Sequence, residues 1–164
     1  MALNAYLKLK GQKQGNIKGG VTLKGRENTI EVIACNHEVV SPRDAANGQA
    51  TGKRRHFPLI ITKELDRSTP SLMQALISSE VITSFELQFY TSQNTGSIGR
   101  TGAEKNYYTI RLTNAIVSGI KMIMPNNKNP ELVKYKEFEE VSFVYEKIEW
   151  VWIDGGITTV DTII

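Results

Sequence analysis

"ITKELDRSTPSLMQAL", residues Ile61 to Leu76, spells the clearest helix in the chain. Ser68 or Thr69 offers a hydroxyl that can accept a bond from an unpaired backbone N–H at a helix start. Pro70 suits the first helical position, where its missing N–H costs nothing. Asp66 lies just upstream, where a carboxylate favours the positive end of the helix dipole. Leu72, Met73, Leu76 and Ile77 follow at spacings of three and four and predict one apolar stripe. A single helix is therefore expected at about residues 69–79, plugging one end of a β-barrel or covering a sheet face. Lys63, Glu64 and Asp66 have the side chains of an acid–base site, but nothing else in the chain supports one.

The flanking sequence on both sides reads as strands. Leu3, Ala5, Leu7 and Leu9 alternate with Asn4, Tyr6, Lys8 and Lys10, the period of a half-buried strand. The glycine-rich "GQKQGNIKGG" is a turn region, and the β-branched "TIEVIACNHEVV" predicts a second long strand. "FPLIITKEL" is a strand whose early Pro58 suits an edge or a strand start. "SFELQFY" alternates Phe85, Leu87 and Phe89 with Glu86 and Gln88. "YYTIRLTNAIVSGIKMIM" gives more strand, with a break expected near Asn114. "PNNKNPELVKYKEFEE" is polar with two prolines and reads as a loop. "VSFVYEKIEWVWID" reads as the last long strand. Its apolar residues occupy both parities, Val141, Phe143 and Tyr145 on one and Val144, Ile148 and Trp150 on the other. A strand of that kind is central in a packed barrel or covered by a neighbouring subunit. The tail "GGITTVDTII" is apolar enough to pair or pack, although its conformation after Asp154 is left open.

The expected fold is mostly β: a small β-barrel of two packed antiparallel sheets, one α-helix and a long extended loop, in a single domain over residues 1–164. The long loop is "SPRDAANGQATGKRRH", Ser41 to His56, which has no apolar periodicity. A structureless segment of that length inside a compact domain is uncommon and is usually functional or disordered.

The chain has 164 residues, 40% hydrophobic and 23% charged, with a net charge of +3, an ordinary balance for a globular protein that does not require a nucleic-acid partner. Its one cysteine, Cys35, excludes an internal disulfide and is expected to be a small apolar filler. With His37 and His56 it gives no metal-ligand spacing. Gly96, Gly99 and Gly102 loosely resemble a phosphate loop but lack the strand before and helix after that such a loop needs. Lys53 to His56, "GKRRH" with its preceding Gly52, has no aromatic interleaving for stacking bases. Trp150 and Trp152 could form a sugar platform, but core or subunit packing explains at least one of them more simply. No nucleophile elbow is present. The expectation is a protein that is not an enzyme and needs no cofactor. "MALNAYLKLK" lacks the charged start and apolar run of a secretion signal, and no apolar run reaches membrane-spanning length. Synthesis in the cytoplasm, no membrane insertion, and export only by a route that reads no such signal are expected.

Five segments, in order, resemble the Hcp (haemolysin-coregulated protein) family, the tube proteins of the bacterial type VI secretion system. They are "AYLKLKGQKQGNIKGG", "GKRRHFPLIITKELDRSTPSLMQAL", "YYTIRLTNAIVSGIKMIMP", the proline-containing loop after it, and "EVSFVYEKIEWVW". The resemblance runs from about Ala5 to Trp152. It implies a small barrel whose helix is structural, six-membered rings stacked into a hollow tube, propulsion by a contractile sheath, a VgrG spike at the tip, and effectors held in the bore. It also implies that the tube protein itself reaches the extracellular space or a target cell, and that Asn36 faces the bore. On this reading the arm residues Ser41, Pro42, Arg43, Asp44, Lys53, Arg54, Arg55 and His56 form a subunit contact. Glu137, Glu139 and Glu140 on a neighbouring copy would be the acidic surface they meet. The rival reading is a monomeric ligand-binding β-barrel with Trp150 and Trp152 at its mouth and a dry pocket inside.

Overall fold

The computed structural model describes residues 1–93 and 103–163; Gly96, Gly99 and Gly102 lie outside them. The elements are β1 (Ala5–Gly11), β2 (Gly15–Ile17), β3 (Ile30–Val32), β4 (Ala34–Asn36), β5 (Val39–Val40), β6 (Arg55–His56), β7 (Leu59–Glu64), α1 (Ser68–Ile77), β8 (Ile82–Ser92), β9 (Glu104–Thr113), β10 (Ile116–Ile123), β11 (Phe138–Val144), β12 (Lys147–Trp152) and β13 (Ile157–Thr162). One antiparallel sheet runs β13-β12-β9-β8-β1-β2, with β3 also paired to β1, and a second runs β10-β11-β7-β4. β5 and β6 form a separate two-stranded ribbon. The architecture is mostly β with several antiparallel sheets and one helix, as the strand periods predict.

The two larger sheets face each other across one core. Leu7, Ile30, Leu59, Ile61, Phe85, Leu87, Leu112, Val141, Phe143 and Ile148 are buried there. Phe85 and Phe143 meet edge to face across it, ring centroids 5.0 Å apart. Side chains fill the place where a ligand-binding barrel would keep its dry pocket.

Three strand-forming stretches turn a corner between sheets. Asn114, with φ +50°, separates β9 in the first sheet from β10 in the second, where the break is expected. "TIEVIACNHEVV" is not one long strand: β3, β4 and β5 fall in three different sheets. "VSFVYEKIEWVWID" is likewise two strands, β11 and β12, in different sheets. Tyr145 and Glu146 make the corner, and the inward parity changes there from Val141 and Phe143 to Ile148. Two parities therefore mark a corner in this segment, not a strand covered on both faces. Cys35 also departs from expectation. It shares the core-facing parity of Ile61, its partner across the β4–β7 pairing, but β4 is an edge strand and leaves the thiol exposed.

The helix starts one residue earlier than expected, and neither Ser68 nor Thr69 caps it. Asp66 Oδ1 accepts the Ser68 N–H at 2.8 Å, and Thr69 Oγ1 accepts the Asp66 N–H at 3.1 Å, a reciprocal closure of the first turn. Pro70 is thus the third residue of the helix. Leu72 and Ala75 point into the core, and Leu76 packs against it. Met73 and Ile77 are 39% and 74% exposed, so the expected four-residue stripe is narrower than its spacing suggests.

Candidate assembly surfaces

The arm is an ordered hairpin. At its root Val39 pairs with His56 and Val40 with Arg55; farther out Arg43 bridges Ala50. Its tip turns on Asp44. That carboxylate accepts the Ala46 N–H at 2.7 Å and the Asn47 N–H at 3.2 Å, while the Asp44 N–H reaches Gln49 O at 2.8 Å. Gly48 occupies φ +71°, a left-handed conformation that suits glycine. Asp44 is chosen for local geometry, since an Asx side chain closes its own turn. Residues 45–55 are all exposed, and the hairpin buries no apolar side chain in the core.

The arm's cations are partly spent within the chain. Arg54 clasps the Asp161 carboxylate with two nitrogens, and His56 Nε2 lies 2.7 Å from Asp161 Oδ2. Arg55 lies over the Phe57 ring, 5.4 Å from its centroid. The partner of Arg54 and His56 is thus the C-terminal strand of the same subunit. Arg43 and Lys53 form no ion pair among the described residues.

Glu137, Glu139 and Glu140 do not form one acidic surface. Alternation along β11 turns Glu139 inward, 1% exposed, onto Lys63 Nζ at 2.7 Å. Glu137 is exposed, and Glu140 is half-buried on the opposite face of β11 between Thr62 and Lys121. Asn36 is exposed on the outward face of the same sheet, in register with Ile60, then Ser142 and Gly119.

A further group emerges that lies scattered in sequence. His37 Nε2 is 2.6 Å from Tyr145 Oη, and Tyr145 Oη is 2.9 Å from His56 Nδ1. With Asp161 these residues join the root of the arm, the β11–β12 corner and β13. Arg54, and secondarily His56, hold the Asp161 carboxyl down to about 2, against the opposing effect of burial. Burial pushes the Tyr145 phenol up to about 12, with Asp161 adding to it. Burial, and secondarily the neighbouring His56, lower the His37 pKa. Positions 37, 56, 145 and 161 share no spacing, and the only sequence signal is an isolated Asp161 in an apolar tail.

β13 pairs with β12 along one edge, and its other edge has no partner among the described residues. Ile157, Val160 and Ile163 there are 67%, 48% and 47% exposed. An apolar strand with a free edge is a template for pairing with another chain.

The chain matches the family described as "Type VI secretion system effector, Hcp" over residues 6–152. It is 38% identical to the "Major exported protein" of Pseudomonas aeruginosa, over 98% of this chain and 95% of that one. Among solved structures it is similar to a double-tryptophan mutant of Hcp1 from the E. coli EAEC 042 pathovar, with a TM-score of 0.83 and 33% identity over 98% of this chain and 99% of that one. It is also similar to the secreted protein Hcp3 of Pseudomonas aeruginosa, with a TM-score of 0.75 and 31% identity over 96% and 98% of the two chains. With a family match over nearly its whole length, on a fold of paired sheets and one structural helix, this chain belongs to the Hcp family of the type VI secretion system.

Proposed function

We propose that the protein is the structural subunit of a type VI secretion tube. Six copies close into a ring by a head-to-tail contact, rings stack into a hollow tube, and the contracting sheath drives that tube outward behind its VgrG spike. Effectors ride in the bore, and the subunit is exported with them. It performs no catalysis and holds no cofactor. The observation that carries this reading is the family match over residues 6–152.

The geometry supports it in three ways. The free apolar edge of β13 gives a ring contact something to pair with. The hairpin is exposed and contributes nothing to the core, as a stacking element should. The outward face of the β10-β11-β7-β4 sheet carries Asn36, Thr62, Glu140, Ser142 and Lys121 and suits a wet bore wall. Light scattering at micromolar concentration tests the ring: the expected mass is six times the 18.3 kDa chain, and a clean monomer across concentrations would sink the proposal.

A further inference from the structure

We propose that the tip of the arm seats in an acidic cleft on a second copy of this chain, lined by Val21, Glu31, Ile33, Glu64, Leu65 and Asp66. The arm is rooted at Val39–Val40 and Arg55–His56, next to the Leu59 end of β7. The cleft lies at the Glu64 end, where β7 finishes and the Ile33 N–H bonds Thr62 O at 2.9 Å. The six residues of β7 make five steps, about 17 Å at ~3.4 Å per residue, between root and cleft. A donor surface at one end of a subunit and a different acceptor at the other make a head-to-tail contact. Such a contact repeats from copy to copy instead of closing on a pair. The two surfaces belong to every subunit; placing the two copies in successive rings rests on the tube reading.

The two surfaces are complementary in charge and size. Arg43 and Lys53 are exposed and form no ion pair among the described residues; the Arg43 guanidinium donates only to Gly48 O, at 3.4 Å. In the cleft Glu64 is exposed, and its carboxylate has no ion pair or hydrogen bond among the described residues. Glu31 is exposed and bonded to Asn4 alone. Lys63 is buried against Glu139 and Asp66, and Arg67 is bonded to Gly19 O and Asn28 Oδ1, so neither takes up Glu31 or Glu64. Beside these carboxylates Ile33 and Leu65 are 45% and 39% exposed. The cleft holds about 150 Å³, a space suited to the small side chains Ala45 and Ala46 at the tip of the hairpin and too small for a bulky anchor. Glu139, the centre of the acidic segment expected to meet the arm, is buried and cannot serve. One exposed ion pair is weak, but a ring presents all its arms at once, and linked contacts reinforce one another.

Disulfide trapping in the full chain tests the contact. In a Cys35→Ser background, protein carrying Ala46→Cys is mixed with protein carrying Leu65→Cys and oxidised with copper–phenanthroline. The expected product is the mixed disulfide between positions 46 and 65, formed faster than either like pair and more slowly as salt is raised. A mixed product no more abundant than that of Ala46→Cys with Lys8→Cys, an exposed position away from the cleft, overturns the contact. Charge reversal gives a second readout. Arg43→Glu with Lys53→Glu, and separately Glu31→Lys with Glu64→Lys, should each cut stacked rings in electron micrographs by at least about tenfold, because like charges then face each other. Ring mass by light scattering should not change. The chain with all four reversals should stack again; intact rings that stay unstacked in that variant overturn the pairing. A wild type that forms no rings removes the tube reading, and the mixed disulfide then still decides the contact: its presence keeps the contact, its absence removes that as well.

Discussion

Lys63 Nζ lies 2.7 Å from Glu139 Oε1, and both side chains are 1% exposed. The two residues sit directly opposite each other on β7 and β11. The ammonium also donates to Thr69 Oγ1 at 3.2 Å and to the Glu64 carbonyl at 2.9 Å, and Asp66 Oδ1 lies 3.0 Å away as a second counter-charge. One buried cation therefore ties the sheet to the first turn of the helix. Breaking the pair leaves the buried ammonium with only the partly exposed Asp66 as counter-charge, so Glu139→Ala should destabilise the subunit by about 3–5 kcal/mol. Lys63→Met with Glu139→Leu should cost far less, because neither charge remains. Urea midpoints at fixed protein concentration check both; equal losses in the single and double variants would show that packing, not charge, holds this junction.

The helix gives a second contrast. Leu72 is fully buried, and Leu72→Ala should cost about 2–5 kcal/mol. Ile77 has the same apolar spacing but is 74% exposed, so Ile77→Ala should change stability by no more than about 0.5 kcal/mol. Asp66→Ala should cost more than the ~1 kcal/mol of an ordinary cap, since Asp66 also bonds Lys63. Denaturant unfolding of the three variants ranks them. A loss at Ile77 matching that at Leu72 would mean that the exposed face is covered in the assembly.

Strand positions were legible because alternation reports burial directly, and the break at Asn114 was legible because polar residues interrupt an apolar run there. The corners at Ile33 and at Tyr145–Glu146 were not. Ile33 continues a β-branched run, and the change of inward parity across Tyr145–Glu146 reads equally as one strand covered on both faces until the pairings are known. The first turn closes on Asp66 instead of Ser68 or Thr69 because three neighbouring side chains, Asp66, Ser68 and Thr69, compete for it, and Lys63, held by Glu139 across the sheet, sits where it pairs with Asp66. Glu139 looked like part of an acidic surface because a charged cluster is usually solvated; its inward parity matters only once Lys63 is seen across from it. Asp161 belonged to a tail whose pairing the sequence left open, so its bonds to Arg54 and His56 were not foreseeable.

Acid should act on the subunit in two separate windows. His37 has a lowered pKa in the folded state, so its contribution is complete above its ordinary value of 6.5 and is lost as pH falls below it. Asp161 is lowered from 3.8 to about 2, so its contribution is present above 3.8 and is lost as pH falls toward 2. Urea midpoints from pH 8 to 2 should decline in both windows. Asp161→Asn should remove the lower decline, because the amide has no charge to lose, and should lower the midpoint at pH 7. A variant that retains the full decline between pH 4 and 2 would assign that window to other carboxylates.

The last prediction concerns the arm. Replacing Asp44 to Gln49 with Asn-Gly shortens the tip while keeping the root pairs Val39–His56 and Val40–Arg55. Asn-Gly forms the tight turn that a two-residue hairpin connection needs. The removed segment supplies no core side chain, so the urea midpoint of the isolated subunit should move by no more than about 0.5 kcal/mol in equivalent stability. Assembly is expected to respond differently. Arg43 and Lys53 meet no carboxylate in their own chain among the described residues, and residues 45–50 at the tip are exposed. Charges at an exposed contact contribute about 0–1 kcal/mol each and weaken with salt, so they should set docking rate and orientation more than affinity. The shortened protein should form single rings by light scattering and fewer or shorter stacks by electron microscopy. Raising salt in the wild type should slow stacking without dissolving the rings. Stacks of normal length from the shortened protein would show that the arm makes no contact between rings.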